Sequence, residues 1–209
     1  MAEITLHGAA GSTFVRTARM ACAEKGVGHR LVPADLRSAA HRALHPFGRM
    51  PVMQHGDYTL YETRAIAGYI DDAFDGPRLT PAAARPRAEM EKWISVSNSY
   101  VDAVTVRQFV IERLAAEALL GRKPDEDAIA AALPRVADQL ALMDRELAAR
   151  PFLAGEALSL ADLFLAPIVA YVGMAPEGAG LLAGKDHLRR WYGAMAERPS
   201  FAATAPKFG

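Results

Sequence analysis

HPFGRMPVMQHGDYTLYETRAIAGYI, running from His45 to Ile70, changes rhythm twice. Val52-Met53-Gln54 and Tyr58-Thr59-Leu60-Tyr61 are short β-prone runs separated by His55-Gly56-Asp57, the pattern of a hairpin. From Glu62 and Thr63 the apolar residues fall at helical spacing, so a helix is predicted to start there. Pro51 stands at the mouth of the first strand, where it has no N–H to give a ladder. Such a proline marks a sheet edge or a special turn.

Upstream, Ile4 and Leu6 alternate with Thr5 and His7, and Gly8 to Gly11 supply a turn. From Ser12 the pattern is helical: Phe14 or Val15, Ala18, Ala21 and Cys22 recur at three and four, and Gly26 closes the run as a C-terminal glycine does. Leu31-Val32 reads as a second strand. The first half is therefore β-α-β followed by β-β-α. Downstream, GPRLTPAAARP from Gly76 to Pro86 carries three prolines and no periodicity, the composition of a linker. The predicted division is 1–76, a linker over 77–86, and 87–209.

Beyond that linker strand signals vanish. Ile129, Leu133, Val136, Leu140, Met143 and Leu147 step by four and three, an apolar seam along one helix face, with Pro134 expected to kink the helix or restart it. Trp93, Val96, Tyr100 and Val104 give another seam, and a last helix is expected from about 187 to 197. In Leu158-Ser159-Leu160-Ala161-Asp162, Ser159 and Asp162 have the spacing of a capping box with Asp in place of Glu. Its expected work is to start a buried helix. The second half reads as all helical.

Composition narrows the function classes. About half of the 209 residues are apolar, which suits a packed domain or two. Twenty-four basic and twenty-four acidic side chains cancel, leaving no overall field for nucleic acid or an anionic membrane. The N-terminus lacks the basic and apolar regions of a signal peptide, and Leu163 to Pro176, the longest uncharged apolar stretch, is too short for a membrane span. A cytoplasmic location is expected. Cys22 is the single cysteine, which excludes an internal disulfide and a thiolate zinc cluster. His41 and His45 are four apart, as zinc ligands often are, but no acid or cysteine completes a site. No metal is expected.

Three blocks carry a family resemblance: GSTFVRTARMACAEKGV from Gly11, the stretch from His45, and FLAGEALSLADLFLAP from Phe152. In that order they resemble the cytosolic glutathione transferases over essentially the whole chain. The resemblance implies an α/β thioredoxin-like N-terminal domain with a mixed four-stranded sheet, and an all-α C-terminal helical bundle carrying the hydrophobic-substrate site. The family's classes differ in the residue that stabilises the thiolate of bound glutathione. The turn after the first strand has neither Tyr nor Cys, and STFVRT looks like the serine-type motif of phi-like transferases, which puts Ser12 in the catalytic place.

From residues alone, a serine after glycine at a helix start is an N-cap. In the family context Ser12 is a hydrogen-bond donor to the thiolate, with Thr13 as fallback donor. Arg16 reads as a solvated or structural charge, although it matches an arginine of the motif. Glu62-Thr63 matches the Glu-Ser pair that receives the γ-glutamyl end, with Thr a departure that keeps the hydroxyl. Met50 would pair with the cysteinyl part through its backbone, not its sulfur, beside a Pro51 expected to be cis. Arg49 is placed to reach a carboxylate. The loop expected to hold the glycyl end does not align cleanly, and Arg37 and His41 are its candidates. Ala9, Ala10, Tyr100, Val104 and Arg107 are the candidates for the hydrophobic substrate.

The implied activity is conjugation of glutathione, as co-substrate and with no other cofactor, to small hydrophobic electrophiles by a homodimer. Glutathione-dependent peroxide reduction or isomerisation is the second enzymatic reading, and a non-catalytic binding or regulatory protein on the same fold is the third.

Overall fold

The computed structural model describes residues 3 to 206. The described residues form two compact units, one up to Pro81 together with those from Ala196 onward, the other Ala82–Met195. The change of unit falls between Pro81 and Ala82. The C-terminus differs from the predicted division, because the residues after 195 group with the first unit rather than with the helices.

In the first unit the elements are β1 (Ile4–His7), α1 (Thr13–Glu24), β2 (His29–Val32), α2 (Ala39–Leu44), β3 (Val52–His55), β4 (Tyr58–Tyr61) and α3 (Thr63–Ala73). They build a four-stranded sheet in the order β2-β1-β3-β4. β1 and β2 are parallel, joined by the crossover helix that parallel strands need, and β3 is antiparallel to both β1 and β4. Ile4, Leu6, Val52 and Met53 are fully buried, against Val15, Ala18 and Cys22 of α1 and Ile66 and Ile70 of α3 in the same core. Gly56 opens the hairpin turn at φ 61, the left-handed conformation required at the first central position of a type II′ turn.

The ends of α1 and α3 are tied by one buried ion pair. Lys25 Nζ donates to Asp71 Oδ1 at 3.2 Å and also to the Gly76 and Pro77 carbonyls. Asp71 accepts from the Leu79 and Thr80 N–H groups at 2.9 and 2.8 Å. Near the C-terminus the short helix Pro199–Ala203 lies on α1. Arg198 holds Glu24 through two bonds of 2.7 and 2.6 Å, the Ser200 hydroxyl donates to the same carboxylate, and Arg19 donates to the Thr204 carbonyl at 3.1 Å. These contacts explain why the C-terminal stretch leaves the helical unit.

The second unit comprises α4 (Ala84–Val96), which runs on into the wider-wound stretch Ser97–Val110 and then α5 (Ile111–Leu114), followed by α6 (Glu126–Glu146), α7 (Leu160–Met174), α8 (Gly178–Leu182) and α9 (Asp186–Ala196). The α6 seam is as predicted, with Ile129, Val136, Leu140 and Met143 buried, but the helix passes through Pro134 without a restart. The other seam slips. From Ser97 the backbone bonds i to i+5, so the apolar face moves around the axis. Trp93 and Val104 are buried while Tyr100 is 65 % exposed.

α7 is buried from Leu160 to Val172, the centre of this unit. Its capping box is present: Asp162 accepts from the Ser159 N–H and hydroxyl, each at 2.9 Å. The same carboxylate also takes the Leu153 N–H and the Trp191 indole N–H at 2.9 Å, so it ties a loop and α9 to the helix start. Burial pushes its pKa up against those four donors. Among the described residues no helix is long and apolar enough to cross a membrane.

Candidate active site

Strand register gathers the candidate residues at one end of the sheet. His7 pairs with Val52 and Val52 with Tyr61. The turn that follows His7, the Met50-Pro51 step that precedes Val52, and the Glu62-Thr63 step that follows Tyr61 therefore lie side by side.

The first of these turns is tightly drawn. The Gly8 N–H donates to the Val32 carbonyl at 2.9 Å and the Ser12 N–H to the Ala9 carbonyl at 3.0 Å. A Cβ on Gly8 would collide with Val15 Cγ2, so glycine is needed for α1 to approach. Ser12 is the N-cap of α1, half-buried, with φ −70 and ψ 128, and its Oγ accepts from the Val15 N–H at 3.4 Å. That bond uses an oxygen lone pair and leaves the hydroxyl hydrogen to donate elsewhere. Thr13, the first helical residue, is 6 % exposed. Ala9 is exposed and Ala10 half-buried beside Ser12.

The second segment is held from behind by histidines. His41, on α2, is buried and its Nε2 lies 2.7 Å from the Arg49 carbonyl. His45 is buried with its ring 4.7 Å from that of Tyr61. Burial pushes the His45 pKa down, and its Nδ1 accepts from the Phe47 N–H at 3.3 Å. The Met50-Pro51 peptide bond is cis. Pro51 is buried, Met50 half-buried, and the side chain of Arg49 exposed. Met50 Sδ accepts from the Ala9 N–H at 3.2 Å, which sequence reasoning has no signal to find. Arg37 is exposed before α2, its N–H on Asp35 Oδ1 at 3.0 Å.

The third segment carries a backbone outlier. Glu62 sits at φ 72 and ψ 117, and among the described residues it is the non-glycine with positive φ. Such conformations cost about 1–3 kcal/mol and concentrate at functional sites. Glu62 is exposed and Thr63 buried at the first position of α3. The end of a helix that presents unpaired N–H groups suits a carboxylate.

The other candidates for the hydrophobic substrate belong to the second unit. Val104 fills its core, Tyr100 is exposed, and Arg107 donates to Asp102 Oδ2 at 3.0 Å from the surface. Tyr100 rims an apolar groove of about 210 Å³ with Trp93, Val96, Leu142 and Met143. Cys22 is fully buried, and burial pushes its thiol up to about 12. Among the described residues no group of three or more His, Cys, Asp or Glu side chains is placed to hold a metal.

Comparisons with known proteins bear on both halves of the chain. The family model for the glutathione S-transferase N-terminal domain matches residues 6–78, and that for the glutathione S-transferase C-terminal domain matches residues 100–199. Glutathione S-transferase 3 of Zea mays is 32% identical over 98% of this chain and 94% of its own length. The solved structure of glutathione S-transferase III in apo form matches with a TM-score of 0.87 at 32% identity, covering 100% of this chain and 99% of that one. Glutathione S-transferase-I bound with the ligand lactoylglutathione matches with a TM-score of 0.88 at 27% identity over 98% of this chain and 99% of that one. Since the family models match both halves of the chain and the likeness to the Zea mays transferase runs over nearly its whole length, the chain belongs to the glutathione S-transferase family.

Proposed function

We propose that the protein conjugates glutathione to small hydrophobic electrophiles at the end of the sheet where Ser12, Met50-Pro51 and Glu62-Thr63 meet. The observation that carries this reading is the register His7 to Val52 to Tyr61, which assembles a helix N-cap hydroxyl, an edge of extended backbone and a second helix start in one place. A free thiol titrates at about 8.5. The Ser12 hydroxyl, at the positive end of α1, donates to the bound thiolate and favours the ionised form. The thiolate then forms an S–C bond, either adding to the electrophile or displacing its leaving group. Thr63 and the first N–H groups of α3 take the γ-glutamyl carboxylate, Glu62 its ammonium, the Met50 backbone the cysteinyl peptide, and Arg37 the glycyl carboxylate. Ala9 and Ala10 border the electrophile.

Thiol chemistry of this kind belongs in the cytoplasm, where thiols are kept reduced. The working form is a homodimer, a reading supported by the apolar surface on both units: Phe47 is 74 % exposed in the first, and Tyr100 and Leu142 rim the groove of the second. Sedimentation at micromolar concentration returning a monomer overturns that part. For the chemistry, Ser12→Ala should raise the apparent pKa of bound glutathione and slow turnover of chlorodinitrobenzene while calorimetric glutathione binding stays close to the original. Unchanged turnover moves the role away from Ser12.

A further inference from the structure

The Ala9 peptide is held at both ends. Its N–H donates to Met50 Sδ at 3.2 Å, and its carbonyl accepts from the Ser12 N–H at 3.0 Å. Met50 and Ser12 are thus joined through one residue, although they lie far apart in sequence. The Met50 side chain is folded against the same turn: an added Cβ at Gly8 would lie 3.4 Å from Met50 Cβ and 3.5 Å from its Sδ. An aliphatic side chain there would fill the space, but only a thioether among apolar residues also offers an acceptor, weak and polarisable.

We propose that Met50 is a positioning residue whose sulfur fixes the Ala9 peptide and so sets the direction of the Ser12 hydroxyl. Without that acceptor the Ala9 N–H turns to water, its carbonyl loses its fixed aim at the Ser12 N–H, and the serine oxygen samples a wider arc around the thiolate. The inference rests on the reading that Ser12 stabilises the thiolate.

Two substitutions separate the hydrogen bond from packing. Met50→Leu keeps an apolar side chain of similar volume and removes the acceptor. Met50→Gln keeps the unbranched shape and puts a carbonyl oxygen within reach of the sulfur's place. The readout is the pH profile of kcat/KM with chlorodinitrobenzene, together with glutathione binding by calorimetry. Met50→Leu is expected to raise the apparent thiol pKa by about half to one unit and to lower kcat/KM at pH 6.5 by about threefold to tenfold, the effect of removing one hydrogen bond, with the deficit closing above pH 9. Met50→Gln is expected to recover most of it. A packing role gives the opposite order, with leucine close to the original and glutamine worse, and that result overturns the proposal.

Ser12→Ala, measured alone and with Met50→Leu, distinguishes the two readings. If Ser12→Ala raises the thiol pKa and Met50→Leu does not, the Met50 proposal fails and the role of Ser12 stands. If Ser12→Ala leaves the pKa unmoved, the serine reading fails, and a shift with Met50→Leu alone would then mean that the sulfur acts by another route, which also overturns the proposal. Support requires that each single change shifts the pKa and that the double variant adds little beyond Ser12→Ala.

Discussion

The guanidinium carbon of Arg16 lies 4.0 Å from the centre of the Phe201 ring, and its Nη2 donates to the Phe201 carbonyl at 3.0 Å. Arg16 is 2 % exposed and Phe201 8 %, so this is a desolvated pairing one helical turn past Ser12, not a surface charge. The structural one of the two readings open from sequence is the observed one. Arg16→Met, which keeps the apolar stem and removes the charge, is expected to lower stability by about 2 kcal/mol, because it abolishes a charge-assisted hydrogen bond and a cation–π interaction together. A urea midpoint that falls with an unchanged slope checks it.

Glu62 holds a backbone conformation that glycine adopts without cost. Glu62→Gly is expected to release about 1–3 kcal/mol of strain, offset by about 0.5–1 kcal/mol of added chain entropy. The thermal midpoint should stay level or rise, while, on the proposal that Glu62 takes the glutathione ammonium, the KM for glutathione climbs by about tenfold or more with loss of that charge-assisted hydrogen bond. A variant that is both less stable and unchanged in KM would refute the assignment of stored strain to binding.

Asp71 predicts an acid limb. Burial disfavours its charge, but the Leu79 and Thr80 donors and Lys25 outweigh it and hold its pKa below the ordinary carboxylate value. A depressed folded pKa stabilises the fold above the unfolded value of about 3.9, and that stability is lost as pH falls through the folded value. Asp71→Asn also leaves Lys25 buried without its counterion. It is expected to cost about 3–5 kcal/mol at pH 7, with the gap to the original protein narrowing below about pH 4. Chemical denaturation at pH 7 and pH 3 measures both values.

The elements legible in the sequence are those whose determinants lie close together. The alternation at Ile4 and Leu6, the hairpin around Gly56, the α6 seam and the Ser159 to Asp162 box are all set within a few residues. What sequence does not reveal is set at long range or by winding. Asp162 is legible as a cap, but its bond to Trp191 joins elements 29 residues apart. The pairing of Arg16 with Phe201 spans 185 residues, which is why the C-terminal stretch reads, from sequence, as part of the helical half. Nothing in the composition of Ser97–Val110 signals i to i+5 bonding, so spacing puts Tyr100 in a seam that it leaves. At the candidate site the same division holds: Ser12, Pro51 and Glu62-Thr63 are proposed from motif, whereas the burial of His41 under Arg49 and the sulfur hydrogen bond of Met50 depend on how the loops fold back.

The burial of Cys22 bears on a hazard peculiar to thiol chemistry. A protein that generates a reactive thiolate beside reactive electrophiles exposes its own cysteines to the same partners. Here the single cysteine of the chain sits on the buried face of α1 with its thiol pushed up to about 12, so burial works against its ionisation and its exposure alike. The one side chain that could form a mixed disulfide with glutathione is thereby kept out of reach of the protein's own reagents.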